Sequence, residues 1–382
     1  MTRRFLLPAA ILSAVLFAVP ATAAVLGTEA DATVAQTRET PLRLGVAGVS
    51  HGHIANITDN LDKGIFELVG VYEADAGYRE DNPLRRKADA SIFYDELRRM
   101  LDETRPEAVV CFGSIKDHLA TVRECAPRHI HVMVEKPLGA SLRDAREMVS
   151  LASRYGILLL TNYETSWYPS NAFVKSMVEE GRLGKLVRMN VFDGHSGPVE
   201  IGCAPRFTDW LTDPVLNGGG AVIDFGCYGA NLATWLLGNE RPVSVTAVLH
   251  TAKPGVYPKV DDDATILLDY ASGVTVQIMG SWCWPYNRKD MFVYGLEGYV
   301  YQKDATHLDV LAKNHAGKFD SVTAPALPSP SDNPFAYLRA AVRGEITVAP
   351  TDLASMENNL IVNEILDAAL RSARSGRSIR LR

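Results

Sequence analysis

The chain of 382 residues is 47% hydrophobic and 22% charged, and its formal net charge at pH 7 is −6. Its length suggests about two domains, and its composition is that of a globular protein with enough apolar residues for sizeable cores. The acidic balance lacks the basic stripe of a nucleic-acid-binding protein, so we expect no nucleic acid among its partners. The five cysteines are scattered and show no CxxC spacing, which argues against a zinc or disulfide framework.

The first 23 residues are predicted to be a signal peptide, and residues 24–41 a flexible leader. A basic head ending at Arg3-Arg4 precedes an apolar stretch from Phe5 to Val19 and a small-x-small cleavage site at Ala21-Thr22-Ala23. The stretch is too short for a membrane anchor, so we expect an exported, periplasmic protein with no membrane attachment after cleavage. The two arginines resemble a twin-arginine export signal, and an ordinary secretion signal is the alternative.

Between residues 42 and 165, apolar strands alternate with amphipathic helices. The sequence predicts strands at Arg43–Gly48, Phe66–Tyr72, Ala108–Phe112, Ile130–Val134 and Ile157–Leu160. Helices are predicted at Ile54–Leu61, Tyr94–Glu103, His118–Cys125 and Leu142–Tyr155. Such an alternation forms βαβ units, in which helices cover both faces of a parallel sheet. The fold class predicted for this part is therefore α/β.

From residue 166 to residue 382 the pattern changes, because strands now follow one another. They are predicted at Leu186–Val191, Val243–His250, Ala264–Tyr270, Val274–Ser281, Met291–Tyr294 and Tyr299–Gln302. Helices are predicted at Asn171–Glu180, from about Gly220, at Phe335–Val342 and at Ser355–Ala373. The hairpin turn Ala271-Ser272-Gly273 joins two of the strands, so a mostly antiparallel sheet in an α+β domain is expected.

The first strand leads into a loop with the character of a dinucleotide-binding turn. In such loops, glycines let backbone N–H groups approach the pyrophosphate at a helix N-terminus. Ser50 and His53 occupy the second and third glycine positions of the usual pattern, so an ordinary tight strand–helix turn is the alternative. The cofactor contacts assigned to this loop are Gly48, Ser50, His51, Gly52 and His53.

Two further positions bear on the cofactor. Glu73 ends the second strand, where an acid bonds the adenosine ribose 2′-OH, and its charge would repel a 2′-phosphate. We therefore expect NAD or NADP with NAD favoured, although Arg79 lies close by in the sequence and would favour NADP. His118, at the head of the helix after the third strand, is predicted to cap the site or to contact the cofactor.

His51 and His53 also raise the question of a metal. Two histidines at i and i+2 lack the facing geometry of a helical pair, and no third ligand is evident in the sequence. We therefore predict no metal site.

The reaction centre is expected where Glu135-Lys136-Pro137 ends an apolar strand. This places the ammonium of Lys136 at the carboxyl edge of the sheet, where open α/β sheets bind ligands. Far downstream, a glycine-rich segment leads into a predicted helix that carries Asp224 and Tyr228 one turn apart, hence on one face. Each of the three residues taken alone has a structural alternative: a surface lysine, a core acid or a packed tyrosine. Together they form proton-transfer machinery.

These motifs resemble the Gfo/Idh/MocA oxidoreductases, the family of glucose–fructose oxidoreductase and inositol dehydrogenase. The resemblance covers roughly residues 42–380 and implies a Rossmann domain over 42–165, followed by a domain over 166–382 whose open sheet commonly joins subunits. The family's lysine and aspartate map to Lys136 and Asp224. Many members have histidine where this chain has Tyr228, and a subgroup has tyrosine. The same resemblance assigns Glu135 to the cofactor end.

The activity expected from these residues is hydride transfer between a sugar or polyol carbon and nicotinamide. Tyr228 would be the base, Lys136 would lower its pKa and stabilise a developing alkoxide, and Asp224 would orient the lysine. Aromatic and hydrogen-bonding side chains suit a sugar, or simply line a cleft; we assign as substrate contacts Tyr168, His195, Arg206 and Trp210.

Further expectations concern partners and alternatives. Free cofactor is scarce outside the cytosol, so an exported enzyme is expected to hold its dinucleotide tightly, and the resemblance implies a homo-oligomer joined through the second sheet. An NAD-dependent glycosidase on the same scaffold is one alternative. A non-catalytic protein that senses sugar or dinucleotide is the other.

Overall fold

A computed structural model describes residues 40–311 and 317–381 of the chain. The predicted signal peptide and nearly all of the predicted leader lie outside the described residues. From Pro41 onward the chain clusters as one unit that contains two sheets.

The first sheet is parallel and has six strands. They are β1 (Leu42–Ala47), β2 (Phe66–Tyr72), β3 (Phe93–Tyr94), β4 (Ala108–Cys111), β5 (His131–Glu135) and β6 (Leu159–Asn162). Their order in space is β3-β2-β1-β4-β5-β6, which is the Rossmann order, and every neighbouring pair is parallel. The predicted α/β fold of this half is confirmed.

Helices cover this sheet, and their ends follow the capping rules. They span Ala55–Thr58, Ala76–Glu80, Leu97–Thr104, Asp117–Cys125 and Leu142–Tyr155. The Ser141 hydroxyl accepts the Asp144 N–H at the start of the last helix, and Gly156 ends it in the left-handed conformation at φ 65°. The single helix expected from Ile54 to Leu61 is instead a short helix between two 3₁₀ turns, Gly52–Ile54 and Leu61–Lys63.

The second sheet has nine strands and is mostly antiparallel. They are β7 (Leu186–Gly194), β8 (Ser244–His250), β9 (Asp263–Asp269), β10 (Thr275–Ser281), β11 (Arg288–Gly295), β12 (Tyr299–Gln302), β13 (His307–Leu311), β14 (Asp320–Thr323) and β15 (Ile379–Arg380). The order is β14-β13-β12-β11-β7-β10-β9-β8-β15, in which β7 and β10 pair in parallel. The remaining helices span Pro169–Glu179, Pro205–Leu211, Ala221–Asp224, Gly226–Leu236, Pro334–Val342 and Met356–Ser375. The predicted antiparallel character is confirmed.

The helix expected to begin near Gly220 is broken at Phe225, so one prediction from the sequence is corrected. Phe225 has φ −109° and ψ −32°, and the Tyr228 N–H donates to the Phe225 carbonyl at 3.1 Å. The Asp224 carbonyl instead accepts from the ammonium of Lys136 at 3.0 Å. Asp224 and Tyr228 therefore lie on two consecutive helical segments, not on one face of a single helix.

The C-terminal segment returns to the first sheet. Phe335 and Leu338 pack in the same core as Leu42 and Leu44 of β1. The carbonyl of Ala354 accepts the Thr161 N–H of β6 at 2.9 Å. The boundary near residue 165 thus separates the two sheets but not the packing of the chain. None of the helices within the described ranges has the length and apolar character needed to cross a bilayer.

Candidate active site

A buried ion pair joins the two sheets at the carboxyl end of β5. The Nζ atom of Lys136 contacts Oδ1 of Asp224, and both residues are 6% exposed. Trp282, which is fully buried, donates its indole Nε1–H to Oδ2 of Asp224 at 2.9 Å. Burial alone would raise the pKa of Asp224, but the charge of Lys136 and these hydrogen bonds hold it below its ordinary value. Both groups are therefore ionised at neutral pH.

The glycine run before Asp224 is explained by two close approaches of the backbone. A Cβ on Gly218, whose φ is +97°, would lie 2.4 Å from the Ala140 carbonyl oxygen, and one on Gly220 would lie 1.8 Å from the Asp261 carbonyl oxygen. The Asp261 carboxylate accepts the N–H groups of Gly220 and Val222 at 2.9 and 2.7 Å. The segment is thereby fixed to both halves of the chain, and Asp224 is aimed at Lys136.

Tyr228 lies beside this pair, and its ionisation differs from the expectation. Its ring centroid is 5.1 Å from Nζ of Lys136 and 4.8 Å from Nζ of Lys289, and the residue is 1% exposed. Burial raises the pKa of Tyr228 well above 10, and the charge of Glu164 raises it further. The expectation that Lys136 lowers this pKa below its ordinary value is therefore wrong, because burial and the charge of Glu164 outweigh the lysine. Tyr228 is a phenol that holds its proton at neutral pH.

Lys289 and Glu164 are residues that the sequence reasoning missed. Nζ of Lys289 contacts a carboxylate oxygen of Glu164, whose other oxygen accepts the Tyr168 hydroxyl at 2.5 Å. Lys289 is paired with Asp193 in the register of β11 and β7. His195, just after the end of β7, was predicted from the sequence to be a site residue, but β11 was predicted to begin only at Met291. Its first three residues were left outside the site for that reason.

A cavity of about 750 Å³ opens over these groups. Lys136, Asp224, Tyr228, Tyr168 and His195 all line it. Every lysine or arginine that lines the cavity is paired with a carboxylate: Lys136 with Asp224, Lys289 with Glu164, Arg288 with Asp290, and Lys303 with Asp309. The cavity therefore offers hydrogen-bonding groups without an uncompensated cation.

His195 is placed to donate to a ligand in this cavity. Its Nδ1 atom accepts the Gly197 N–H at 2.9 Å, so the neutral ring carries its proton on Nε2. Burial lowers the pKa of His195 below 6.5, which keeps the ring neutral. The edge of the ring meets Phe225, with centroids 4.9 Å apart.

A smaller cavity of about 330 Å³ lies at the ends of β1 and β2, where the sequence predicts the adenosine side of a dinucleotide. Gly48, Ser50 and Glu73 line it. Gly48 has φ +81°, and a Cβ there would lie 2.5 Å from the Gly113 nitrogen, so the turn requires glycine. The Glu73 carboxylate accepts the N–H groups of Val49 and Asp75, both at 3.0 Å, which holds it at the cavity wall. Arg79 is turned back to the Glu73 carbonyl, to which it donates at 2.8 Å.

His51, His53 and Glu135 come close enough to suggest a metal. One potential ligand atom from each lies within 4.8 Å of the others, and Glu135 is the third candidate that the sequence did not reveal. Nδ1 of His51 accepts the His53 N–H at 3.0 Å, so its neutral ring keeps a proton on Nε2 and has no free lone pair for a metal. His53 and Asn162 bond the two oxygens of Glu135 at 3.0 and 2.9 Å. The three residues thus form a hydrogen-bonded network, which places His51, Gly52 and His53 at the wall of the larger cavity.

Burial and charge fix the protonation states in that network. Burial opposes ionisation of Glu135, but the neighbouring His53 and His51 lower its pKa to about 2. Burial also lowers the pKa of His51 well below 6.5. Glu135 is thus a buried carboxylate held by its neighbours, and it does not itself line either cavity described above.

Three further predicted site residues also lie away from the larger cavity. Arg206 donates to the Asp81 carbonyl at 2.7 Å and ties the two halves of the chain together there. The Trp210 ring lies 5.5 Å from that of His51 and lines the smaller cavity. His118 is fully buried, burial lowers its pKa to about 4, and its Nδ1 lies 3.1 Å from the Leu138 carbonyl oxygen. The first two are therefore not placed to touch a substrate beside Tyr228, and His118 braces the turn that follows Lys136.

Two segments of the chain match models of known families. Residues 42–163 match the model described as "Oxidoreductase family, NAD-binding Rossmann fold", and residues 172–301 match "GFO/IDH/MocA C-terminal domain". The chain belongs to the GFO/IDH/MocA family of NAD-binding oxidoreductases. The resemblance expected from the sequence is confirmed.

Curated members of the GFO/IDH/MocA family are distant relatives of this chain. Trans-1,2-dihydrobenzene-1,2-diol dehydrogenase of Sus scrofa is 26% identical over 235 residues, which cover 61% of this chain and 66% of the relative. 1,5-Anhydro-D-fructose reductase of Ensifer adhaerens is 29% identical over 168 residues, which cover 44% of this chain and 48% of the relative. The alignments thus span less than two thirds of these relatives.

Solved structures share the fold over nearly the whole chain. The aldose-aldose oxidoreductase of Caulobacter crescentus, complexed with glycerol, superposes with a TM-score of 0.75 at 21% identity, covering 89% of this chain and 100% of that one. An inositol dehydrogenase homolog of Azotobacter vinelandii, complexed with NAD+, has a TM-score of 0.75 at 16% identity, covering 90% and 98%. At these identities the likeness concerns the fold.

Proposed function

We propose that this protein transfers a hydride between nicotinamide and a carbon of a sugar or polyol. The observation that carries the proposal is the meeting of Lys136, Asp224 and Tyr228 at the wall of one cavity. Family membership supplies the expectation of a dinucleotide, and the smaller cavity beside Glu73 fits its adenosine end. The names of the two relatives above give a diol and an anhydro-sugar as their substrates, which supports a hydroxylated substrate here.

A bound dinucleotide supplies the hydride or takes it up, and the residues of the chain handle the proton. In the reducing direction, the Tyr228 hydroxyl gives its proton to the carbonyl oxygen of the substrate, which becomes a hydroxyl. In the oxidising direction, the phenolate takes that proton back. The ammonium of Lys136 stabilises negative charge on the same oxygen, and Asp224 keeps the ammonium in place. Because burial raises the pKa of Tyr228, neutral pH favours reduction and rising pH favours oxidation.

The paired charges of the larger cavity favour an uncharged substrate. A sugar acid or sugar phosphate would need a cation without a partner, whereas each lysine or arginine that lines this cavity already has one. Tyr168 and His195 add an aromatic surface and a hydrogen-bond donor, as a neutral sugar requires. We therefore expect neutral aldoses, ketoses or polyols to be better substrates than their acids or phosphates.

The proposal also includes export of the protein and a tightly bound cofactor. Residues 1–23 have the pattern of a signal peptide, and an exported enzyme meets little free dinucleotide. We propose that the protein reaches the periplasm, by the twin-arginine or the ordinary secretion route, and keeps its cofactor through two half-reactions, oxidising one sugar and reducing another. One solved structure with the same fold is named an aldose-aldose oxidoreductase, and that name describes a reaction of this kind. NAD is favoured over NADP because Glu73 is held at the adenosine end.

The open face of the second sheet supports assembly into a homo-oligomer. The rings of Phe292 and Tyr301 stack there with centroids 4.1 Å apart, and Phe319 lies within 5.5 Å of Tyr299. Val248 is 52% exposed and Leu267 44% exposed on neighbouring strands. An apolar face of this extent is typical of a surface that a second copy covers. Light scattering of the purified protein tests the proposal, and a monomer would contradict it.

The function is tested on the full chain as purified from the periplasm. Mass spectrometry identifies any bound dinucleotide, and nicotinamide absorbance is followed while neutral sugars, polyols and sugar acids are added one at a time. We expect bound NAD whose absorbance rises with one neutral sugar and falls with another. The proposal fails if no sugar or polyol changes the redox state of bound or added dinucleotide.

The two alternative functions give different results in the same assay. A glycosidase would release free sugar from an aryl glycoside with no net NADH. A sensor would bind a sugar, detected by calorimetry, without turnover of any compound in the panel.

A further inference from the structure

Two ammonium groups flank the ring of Tyr228, and they differ in what balances their charge. Nζ of Lys136 lies 5.1 Å from the ring centroid, and Nζ of Lys289 lies 4.8 Å from it. The Asp224 carboxylate balances Lys136 inside the protein, where both side chains are 7% exposed. That pair therefore brings little net charge to the phenol.

Lys289 is balanced by an acid that lies nearer to water. The side chain of Glu164 is 45% exposed, against 23% for Lys289. Burial raises the pKa of Tyr228 and the charge of Glu164 raises it further, whereas the ammonium of Lys289, 4.8 Å from the ring centroid, opposes the charge of Glu164. Glu164 also accepts the Tyr168 hydroxyl at 2.5 Å, so Lys289 and Tyr168 share this carboxylate as a partner.

The register of β11 explains why Lys289 faces this ring. Met291 and Val293 belong to the same core as Tyr228. Alternate residues of a strand share one face of the sheet, so Lys289 lies on the face of Met291. Its ammonium therefore reaches the cavity from β11 of the second sheet, whereas that of Lys136 comes from the end of β5 in the first.

We propose that Lys289 is a positioning residue of the proposed reaction: with Glu164 as its counter-charge, its ammonium governs whether Tyr228 holds or releases its proton. The inference rests on the proposed function, because it assigns Lys289 and Glu164 to the proton step of that reaction. It goes beyond the motifs from which the site was predicted, since neither residue belongs to them.

Other groups around Tyr228 do not replace Lys289 in this role. The charged and titratable side chains near Tyr228 are Glu135 and Lys136 at the end of β5, Tyr163, Glu164 and Tyr168 after β6, Asp193 and His195 at the end of β7, Asp224 and Cys227 on the adjacent helical turns, and Lys289 in β11. The larger cavity is also lined by His51 and His53 after β1, by Cys203 and Tyr286, by the ion pair of Arg288 and Asp290, and by Tyr301, Lys303 and Asp304. Burial raises the pKa of Asp193 well above its ordinary value, which favours its neutral form. Burial likewise raises the pKa of the Cys227 thiol to about 12.

Opposite substitutions therefore have opposite consequences. Lys289→Met removes the cation and makes proton release from Tyr228 harder, whereas Glu164→Gln removes the acid and makes it easier. A close charge shifts a pKa by about one to three units, so we expect the oxidation rate at a fixed pH to fall about tenfold or more in Lys289→Met. In Glu164→Gln we expect it to rise. Damage to packing alone would lower the rate in both variants.

The experiment uses two readouts. The first is the pH dependence of sugar oxidation and of the reverse reduction in each variant. The second is NMR of protein with labelled tyrosine rings, with the Tyr228 signal assigned by Tyr228→Phe, so that ionisation is followed without turnover. We expect ionisation to begin at the lowest pH in Glu164→Gln, at a higher pH in the unmodified protein, and at the highest in Lys289→Met.

Two controls complete the design. Lys289→Arg keeps the charge and should restore the unmodified behaviour in both readouts. Lys175 also lies over an aromatic ring, with Nζ 5.4 Å from the Trp235 centroid and Glu179 as its partner, but it does not line the larger cavity. Lys175→Met should leave the ionisation of Tyr228 unchanged.

The inference is overturned if Lys289→Met and Glu164→Gln shift the ionisation in the same direction or not at all, or if Lys289→Arg behaves as Lys289→Met does. If Lys289→Met fails to fold, the direction of the shift in Glu164→Gln decides alone. Failure of the proposed function gives a different result, because the unmodified protein would then turn over no sugar. The order in which Tyr228 ionises in the unmodified protein and the variants, measured by NMR, would still be the expected one.

Discussion

The indole of Trp282 and the carboxylate of Asp224 are joined by a 2.9 Å hydrogen bond inside the protein. Lys136 contacts the other oxygen of the carboxylate, so both oxygens have a partner. The backbone of Trp282 is in turn fixed by the Asp262 carbonyl, which accepts its N–H at 2.8 Å. The orientation of the acid thus depends on a ring that does not line the larger cavity.

Trp282→Phe is therefore expected to weaken the ion pair without removing it. The variant keeps most of the buried ring but leaves one carboxylate oxygen without its donor, which typically lowers stability by about 1–3 kcal/mol. We expect turnover to fall about tenfold, with little change in dinucleotide affinity, measured by steady-state kinetics and calorimetry. Trp235→Phe, on the helix Gly226–Leu236, serves as the matched control. Unchanged turnover in Trp282→Phe would show that Lys136 alone orients Asp224.

Lys136→Ala and Tyr228→Phe are expected to lower turnover by more than about 100-fold, because each removes a group that handles charge or a proton in the reaction. Binding of the dinucleotide, followed by fluorescence titration, should persist in Tyr228→Phe. Tyr270→Phe is the control, since its buried hydroxyl has no hydrogen-bond partner among the described residues. Near-normal turnover in either site variant would end the assignment.

Gly220→Ala is expected to prevent the glycine-rich segment before Asp224 from packing against Asp261. A Cβ at this position would lie 1.8 Å from the Asp261 carbonyl oxygen, so the backbone must move. We expect a loss of stability above about 2 kcal/mol, or insoluble protein, measured by thermal unfolding. Gly255→Ala has no atom within 4 Å of the new Cβ and should unfold within a few degrees of the unmodified protein. Equal melting temperatures for the two variants would contradict the docking.

Asp261 is expected to make stability depend on pH. Burial raises its pKa from 3.8 to about 6 in the folded protein. The folded protein then binds the proton more tightly than the unfolded chain, so ionisation opposes folding and the free energy of unfolding falls as pH rises from about 4 to about 6. In Asp261→Asn this fall should be absent, although the variant loses an acceptor at the start of the helix. Parallel curves of unfolding free energy against pH for the two proteins would disprove the prediction.

Glu73→Ser is expected to reduce the factor by which the protein binds NAD more tightly than NADP. The carboxylate of Glu73 repels a 2′-phosphate, and one such contact corresponds to about tenfold in affinity. Dissociation constants for NAD and NADP, measured by calorimetry on protein freed of cofactor, check the change. Glu67→Gln, on the same strand and 62% exposed, is the control. An unmodified protein that binds NADP at least about tenfold more tightly than NAD would refute the assignment of Glu73.

The sequence was informative where one short segment determines the structure. Phe66–Tyr72, Leu142–Tyr155 and Tyr299–Gln302 have the predicted bounds, because periodicity and caps define each of them locally. Lys136 and Asp224 were predicted to meet, and they do, because a strand end and a glycine-rich approach are both visible as motifs. The short strands β13, β14 and β15 were missed, since their pairing partners are what define them.

The features that could not be predicted from the sequence depend on contacts between distant segments. The break at Phe225 depends on Lys136 taking the Asp224 carbonyl that a continuous helix would have used. The high pKa of Tyr228 depends on burial and on Glu164, neither of which is visible from its neighbours in the chain. Trp282 and Lys289 carry no motif, and their partners lie 58 and 125 positions away.

The contact between Lys136 and Asp224 has a consequence for what happens when the two halves of the chain separate. Lys136 extends from the parallel sheet and Asp224 from a helix of the other half, 88 positions later, so the ion pair of the proposed reaction is also one of the contacts that join the halves. Under the proposed function, a copy whose halves have come apart lacks this ion pair beside Tyr228 and would not transfer a hydride. Damage far from the cavity that separates the halves would therefore abolish the proposed reaction as well.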